Sequence, residues 1–187
     1  MEQLSTNSAH EETPLCLTGE YVKLWPYIPD AYPRDILYRL WRLIEDDGAF
    51  PRLFWGHSDP EQTRMDLPKF CRFSTDESRQ LLFITTPDGE EIIGCTWWED
   101  MKIGHQAFGA LFMVKEFRGM AAVEATRLSS DWAFAHYQCI QLWALTPWPA
   151  AAIIIAHSGY ERVATLPQFA ISDGKFQDVG VFRKVRE

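Results

Sequence analysis

The chain has 187 residues, 47% of them apolar and 14% aromatic, enough for one substantial core and too few for two. No stretch reaches the roughly 18 uncharged apolar residues that a membrane-spanning helix needs. A formal charge of −8 opposes nonspecific binding to nucleic acid or anionic lipid and mildly favours a basic substrate.

Residues 1–12 are polar and acidic, without the basic start and apolar core of a secretory signal, so 1–19 is expected to be a flexible segment and 20–187 a single domain. Residues 20–25 read as a first strand, ended by Pro26. Residues 35–45 read as a helix, with Asp35 able to cap it and Ile36, Leu37, Leu40, Trp41 and Ile44 spaced along one face. Ser58 or Asp59 opens a second helix with Pro60 in its first turn, running to 73 with a kink at Pro68. Strands follow at 80–85, 91–99 and 106–114, the first two joined by a turn at Pro87, Asp88 and Gly89, which makes an antiparallel meander. Trp97 and Trp98 are neighbours on a strand and face opposite sides, so at most one is expected to point at the core.

Beyond 114 helices and strands alternate: a helix over 116–135, a strand over 139–146, a short helix over 149–157 and a strand over 160–165. A turn at Asp173 and Gly174 precedes a last strand over 179–183. The most apolar run, 148–156, suits a buried helix. Strands first in hairpins and later alternating with helices predict an α/β (α+β) fold, a mixed and mostly antiparallel sheet with helices on both faces. Cys16, Cys71, Cys95 and Cys139 stand far apart, with no paired spacing and no histidine at zinc-ligand distance, so no disulfide framework or metal knuckle is signalled and a cytoplasmic location is expected.

The segment that carries chemistry runs from Ala110 to Val123, a strand that feeds a turn and then a long helix. A helix N-terminus offers unpaired N–H groups and the positive end of the dipole, which stabilise a phosphate. Gly119, Ala121 and Ala122 are small enough to let one approach, and Arg118 adds a cation. No nucleophile elbow, Walker loop or dinucleotide fingerprint is present, so hydrolase, nucleotide and nicotinamide readings lack support.

This segment resembles the signature of the GNAT superfamily of N-acetyltransferases, an Arg or Gln, two residues, Gly, one residue, then Gly or Ala. Arg118 matches the first position, while the two glycine positions fall on Ala121 and Val123. Ser158, Gly159 and Tyr160 stand where the family has its Gly-Phe pair, and Gly174 and Asp178 where many members carry Gly and Asp before the final strand. The resemblance spans about 20–184 in element order. It implies acetyl-CoA as cofactor, bound by Phe112, Met113, Val114, Arg118, Gly119, Met120, Ala121, Ala122 and Val123, with the strands on either side of the long helix splayed around the pantetheine arm. An amine of a small molecule or a protein would be the acceptor, with no nucleic-acid or membrane partner, and a homodimer is common in the family.

The proton-handling residues depart from the family. Its usual tyrosine falls on Ile155 and its asparagine on Pro149. His157 is near enough in sequence to serve as the acid, although a histidine at a helix end also simply complements the dipole; Tyr160 is a weaker alternative. Glu99, Asp100 and His105 gather at a hairpin and supply candidates for the base, Glu99 and His105 foremost. Phe54, Trp55, Gly56 and Trp41 can form a wall of an acceptor groove. His10, His57 and His136 fit no motif. The missing tyrosine and asparagine and the diluted glycines motivate an alternative, a protein of this fold without turnover that serves as a binding or assembly module, as in a phage or other mobile element.

Overall fold

A computed structural model describes residues 16–29, 31–33, 35–53, 65–172 and 175–186. The helix start at Ser58, the Phe54-Trp55-Gly56 wall, His10, His57, the turn at Asp173 and Gly174 and most of 1–19 lie outside the described residues. The described elements are β1 (Leu17–Thr18), β2 (Lys23–Pro26), α1 (Ile36–Asp46), α2 (Phe50–Leu53), α3 (Leu67–Ser74), β3 (Gln80–Thr85), β4 (Ile92–Lys102), β5 (Gln106–Met113), a 3-10 turn (Lys115–Phe117), α4 (Met120–Tyr137), β6 (Gln141–Thr146), α5 (Pro149–His157), β7 (Glu161–Ser172) and β8 (Lys175–Val185). They form one sheet in the order β1-β2-β3-β4-β5-β6-β8-β7. Only β5 and β6 pair in parallel among them.

Helices cover both faces, and this explains why the central strands carry no apolar alternation. In β3, Leu81 packs with Leu37, Leu40, Ile44 and Phe70 beneath α1 and α3. Its neighbours Leu82 and Ile84 pack with Ala122, Ala125 and Trp132 beneath α4. The same arrangement corrects the reading of the tryptophan pair. Trp97 and Trp98 do face opposite sides, but both are buried, at 4% and 2% exposure, because each side has its own core.

Other local expectations shift for identifiable reasons. Asp35 stands at the N-cap of α1 in a helical backbone conformation and makes no capping hydrogen bond. Pro68 does not kink a helix: α3 begins at Leu67, Asp66 Oδ1 accepts from the Lys69 N–H at 2.8 Å, and Pro68 falls in the first turn, where the missing N–H has no helical partner to lose. The helical pattern over 116–135 is interrupted, with the 3-10 turn separated from α4 by Arg118 and Gly119. α5 spans the residues expected of it, yet none of them is fully buried. Ala152, Ile154 and Ile155 pack on the core, and Ile154 and Ile155 also border a cavity.

β7 and β8 extend well past the stretches legible in the sequence. β7 is an edge strand and mostly exposed, so it carries little apolar signal, and its ladder shifts register around Pro167. There Gln168 takes a φ of 51° and its N–H donates to Asp178 Oδ1 at 2.9 Å. A proline and a bulge on an edge strand also discourage pairing with another chain. Among the described residues no helix is long and apolar enough to cross a membrane.

Candidate functional site

The parallel pair β5 and β6 makes contact over three residues only, Gln106 with Gln141, Ala107 with Leu142 and Phe108 with Trp143. Past them β5 remains tied to β4 as far as Gly94 with Met113, and β6 to β8 as far as Thr146 with Gly180. Each strand is held by its other neighbour, so the two diverge and leave a wedge. A cavity of about 420 Å³ fills it, bordered by Gly109–Met113 of β5, Ala144–Thr146 of β6, Ala122, Thr126 and Ser129 of α4, and Ile154 and Ile155 of α5. From Gly109 onward the edge of β5 that faces β6 has no strand partner, so an extended ligand carrying amides can complete the ladder there.

Where the wedge meets solvent, the local sequence builds an anion site. Gly119 is the N-cap of α4 at φ 129°, with no capping side chain, and no acidic residue lies in the first helical turn. Its φ is one that side chains other than glycine rarely adopt. Arg118 Nε donates to the Met113 carbonyl at 2.9 Å, which fixes the guanidinium at the end of β5. Its other end donates to Asp47 Oδ2 at 2.8 Å. Arg52, on α2, donates to that same oxygen at 2.8 Å. Two guanidinium groups thus share one mostly buried carboxylate oxygen, both arginines border the cavity, and about one positive charge among the three is left uncompensated.

The hydroxyls along the wall are engaged with the protein itself. Thr96 donates to the Ala110 carbonyl at 2.8 Å, Thr126 to that of Ala122 at 2.8 Å and Ser129 to that of Thr126 at 3.2 Å. Ser130 donates to the Thr126 carbonyl at 2.6 Å, which leaves its oxygen to accept from Tyr160, 2.9 Å away. Burial pushes the Tyr160 phenol well above its ordinary range. None of the described residues bordering the cavity is Asp, Glu, His, Cys or Lys. The wall can orient a ligand and exclude water, and has little to exchange protons with.

Of the nine residues expected to hold a cofactor, Phe112, Met113, Arg118 and Ala122 border the cavity. The Val114 N–H donates to the Ile93 carbonyl at 3.0 Å, Gly119 caps α4, Met120 is 60% exposed, Ala121 packs on the core, and the Val123 N–H donates to the Gly119 carbonyl. The three expected proton carriers stand elsewhere. Glu99 accepts from Arg79 Nε at 3.1 Å. His105 is exposed in the β4–β5 turn, its backbone N–H bonded to Lys102 and its carbonyl accepting from Ile140. His157 is exposed at the end of α5, its carbonyl accepting from Arg127 at 2.6 Å. None of the three borders the cavity, whereas Ile155 and Pro149 do. Trp98, one of the tryptophan pair that the sequence offers as a pocket wall, borders the cavity. Asp47, Arg52 and Trp148 belong to the site without having been legible: Asp47 is 71 residues from Arg118 in sequence, and nothing local announces that pairing.

No protein-family model matches the chain, and a comparison with curated proteins finds no match. Among solved structures it is similar to spermidine N-acetyltransferase from Vibrio cholerae, in complex with CoA and spermine, at 13% identity over 88% of this chain and 95% of that one, with a TM-score of 0.70. Ribosomal-protein-S5-alanine acetyltransferase from Vibrio fischeri is similar at 11% identity over 92% and 97%, with a TM-score of 0.71. A probable acetyltransferase of the GNAT family from Chromobacterium violaceum is similar at 19% identity over 99% and 93%, with a TM-score of 0.70. The fold is therefore that of the GNAT acetyltransferases, with a mixed, mostly antiparallel sheet, helices on both faces and a wedge between the one parallel pair among the described strands.

Proposed function

We propose that this protein is an acetyl-CoA-dependent N-acetyltransferase. The observation that carries the reading is the wedge itself: a slot between two strands, one with a free backbone edge, opening onto two arginines at the uncapped N-terminus of α4. The donor set suits a coenzyme A thioester. Arg118, Arg52 and the first N–H groups of α4 suit its diphosphate, the β5 edge suits the amides of its pantetheine arm, and the apolar side of α5 suits the arm's methylenes.

The acetyl thioester supplies the electrophile. The chain's own contribution is positioning: β5 and β6 hold the arm in line, and the apolar side of α5 covers it. The bound thioester would supply an acetyl carbon to which an amine nitrogen could bond as the carbon–sulfur bond breaks; with no Asp, Glu, His, Cys or Lys among the described residues bordering the cavity, solvent at the mouth would take the amine proton and return one to the thiolate. Two of the proteins that share the fold are named for amine acceptors, spermidine and a ribosomal-protein alanine. An amine of a small molecule or a protein is accordingly the acceptor class proposed here.

Titration calorimetry with acetyl-CoA and with free coenzyme A tests the reading. Binding in the micromolar range is expected for both, and Arg118→Glu should weaken it about tenfold or more, roughly 1.4 kcal/mol. No binding at millimolar ligand would overturn the proposal and favour a protein of this fold that docks a partner instead. Binding without turnover of any amine in a broad acceptor panel would keep the ligand and reject the transfer.

A further inference from the structure

The wedge has a closed end as well as a mouth, and the two are separated along β5. Arg118 is bonded to Met113 at one end, and the strand pairing resumes at Phe108 with Trp143 at the other. From Met113 back to Gly109 is about 13 Å of strand at the usual rise per residue. At the closed end Trp98 of β4 sits directly across from Gly109 in the antiparallel register. A Cβ placed on Gly109 would lie 2.7 Å from Trp98 Cζ3 and 2.9 Å from Cη2, so the indole occupies the space that any side chain at position 109 would need. Trp98 is 2% exposed and borders the cavity. On the opposite face of the sheet, where the β5–β6 ladder resumes, Phe108 and Trp143 stack with ring centroids 6.3 Å apart. The wedge is stoppered by an indole that only a glycine at 109 lets lie flat.

We infer that Trp98, seated on Gly109, sets the length of acyl group the site accepts, admitting an acetyl-sized thioester and rejecting longer straight-chain ones. The inference rests on the proposed binding of a coenzyme A thioester with its diphosphate at Arg118 and Arg52. With that end anchored, an arm following the β5 edge inward brings its thioester toward Gly109, and each added methylene projects into the indole. The surrounding wall cannot yield easily, because β4 and β5 are both interior strands of the sheet and closely packed cores resist small intrusions.

The test needs no acceptor. Free coenzyme A, acetyl-CoA, butyryl-CoA and hexanoyl-CoA are titrated calorimetrically into the wild-type chain, Trp98→Phe and Trp98→Leu, with a melting curve for each variant. The wild type should bind free coenzyme A and acetyl-CoA within about threefold of each other and butyryl-CoA about tenfold more weakly or worse, the scale of a methylene misfit in an apolar pocket. Trp98→Phe should reduce that penalty and Trp98→Leu abolish it, read in each variant as the ratio of thioester affinity to that for free coenzyme A. A residue that serves only the core would change melting without changing the dependence on acyl length. The inference is overturned if the wild type binds all the thioesters alike, or if folded Trp98→Phe keeps the full penalty. Should Trp98→Leu not fold, the phenylalanine variant decides alone. Absence of coenzyme A binding to the wild type would instead strike the site reading itself, and this inference with it.

Discussion

Glu124 projects from α4 toward the N-terminal hairpin, and its carboxylate accepts the backbone N–H groups of Glu20, Tyr21 and Val22 at 2.8, 2.6 and 3.0 Å. Three donors on one carboxylate dock β1 and β2 against the helix. Hydrogen bonds to a charged acceptor are the stronger kind, and part of what is lost on removal is returned by water at the two exposed donors. Glu124→Ala is expected to lower stability by about 1–3 kcal/mol, read as a shift of the urea midpoint, with Glu124→Gln recovering part of it. At single residues the reach of local sequence differs from one position to the next. Arg118 was legible because a strand, a turn and a helix stand in unbroken succession around it. Its partner Asp47 and the second cation Arg52 were not, because a shared carboxylate between α1 and the α4 N-terminus exists only once the sheet has stacked those helices over the same strand ends. The titratable residues that stood out in the sequence, Glu99, His105 and His157, did so by residue type, a property that carries no information about which side of a strand or helix end faces the wedge.

At the scale of elements, the last turn of α4 supplies a pH dependence. His136 stacks on Trp132 at 4.6 Å between ring centroids and meets Tyr137 edge-on, and burial lowers its imidazole pKa from the ordinary 6.5. The folded protein therefore takes up this proton less readily than the unfolded chain does. Stability from this source is fully present above about pH 6.5 and is lost as pH falls through the lowered folded value. Asp76 and Asp88 also have lowered pKa values, from hydrogen bonds to Ser78 and to Thr86 and Glu90 respectively. Their contribution is likewise lost on acidification, but only below the ordinary carboxylate range near pH 4. His136 is itself exposed, so a small decline in the urea midpoint is expected as pH falls below about 6.5, and His136→Gln should remove it without altering the decline in the carboxylate range. α5 makes the complementary point about elements. Its apolar composition predicted a buried helix, and the helix does cover an apolar surface, part of it core and part of it the wall of a cavity.

For the molecule as a whole, the wedge lies between two groups of strands that share little of their own ladder and are otherwise joined through the core beneath α4. β5 belongs with β1–β4, β6 with β8 and β7, and between the two groups the ladder is three residue pairs. A ligand that fills the wedge bridges both groups and binds only the folded chain, so it must stabilise the fold by mass action. At acetyl-CoA concentrations of about 100 times Kd the gain is about 2.7 kcal/mol, which for a chain of this length is a rise in Tm of roughly 5–11 °C. A thermal-shift series with acetyl-CoA reads this directly, and a Tm independent of ligand would contradict binding in the wedge.

By itself the sequence determined what depends on neighbours along the chain: the meander of β3 to β5, the extents of α1 and α5, and the succession of strand, turn and long helix around Arg118. Period, turn chemistry and capping are local, and local interactions are decided within a few residues. Only the tertiary structure decided the divergence of β5 from β6, the sharing of Asp47 by Arg118 and Arg52, the burial of both Trp97 and Trp98, and the seating of an indole on Gly109. Each of these depends on which surfaces the packed sheet brings together across long sequence separations, and no periodicity in the chain encodes that.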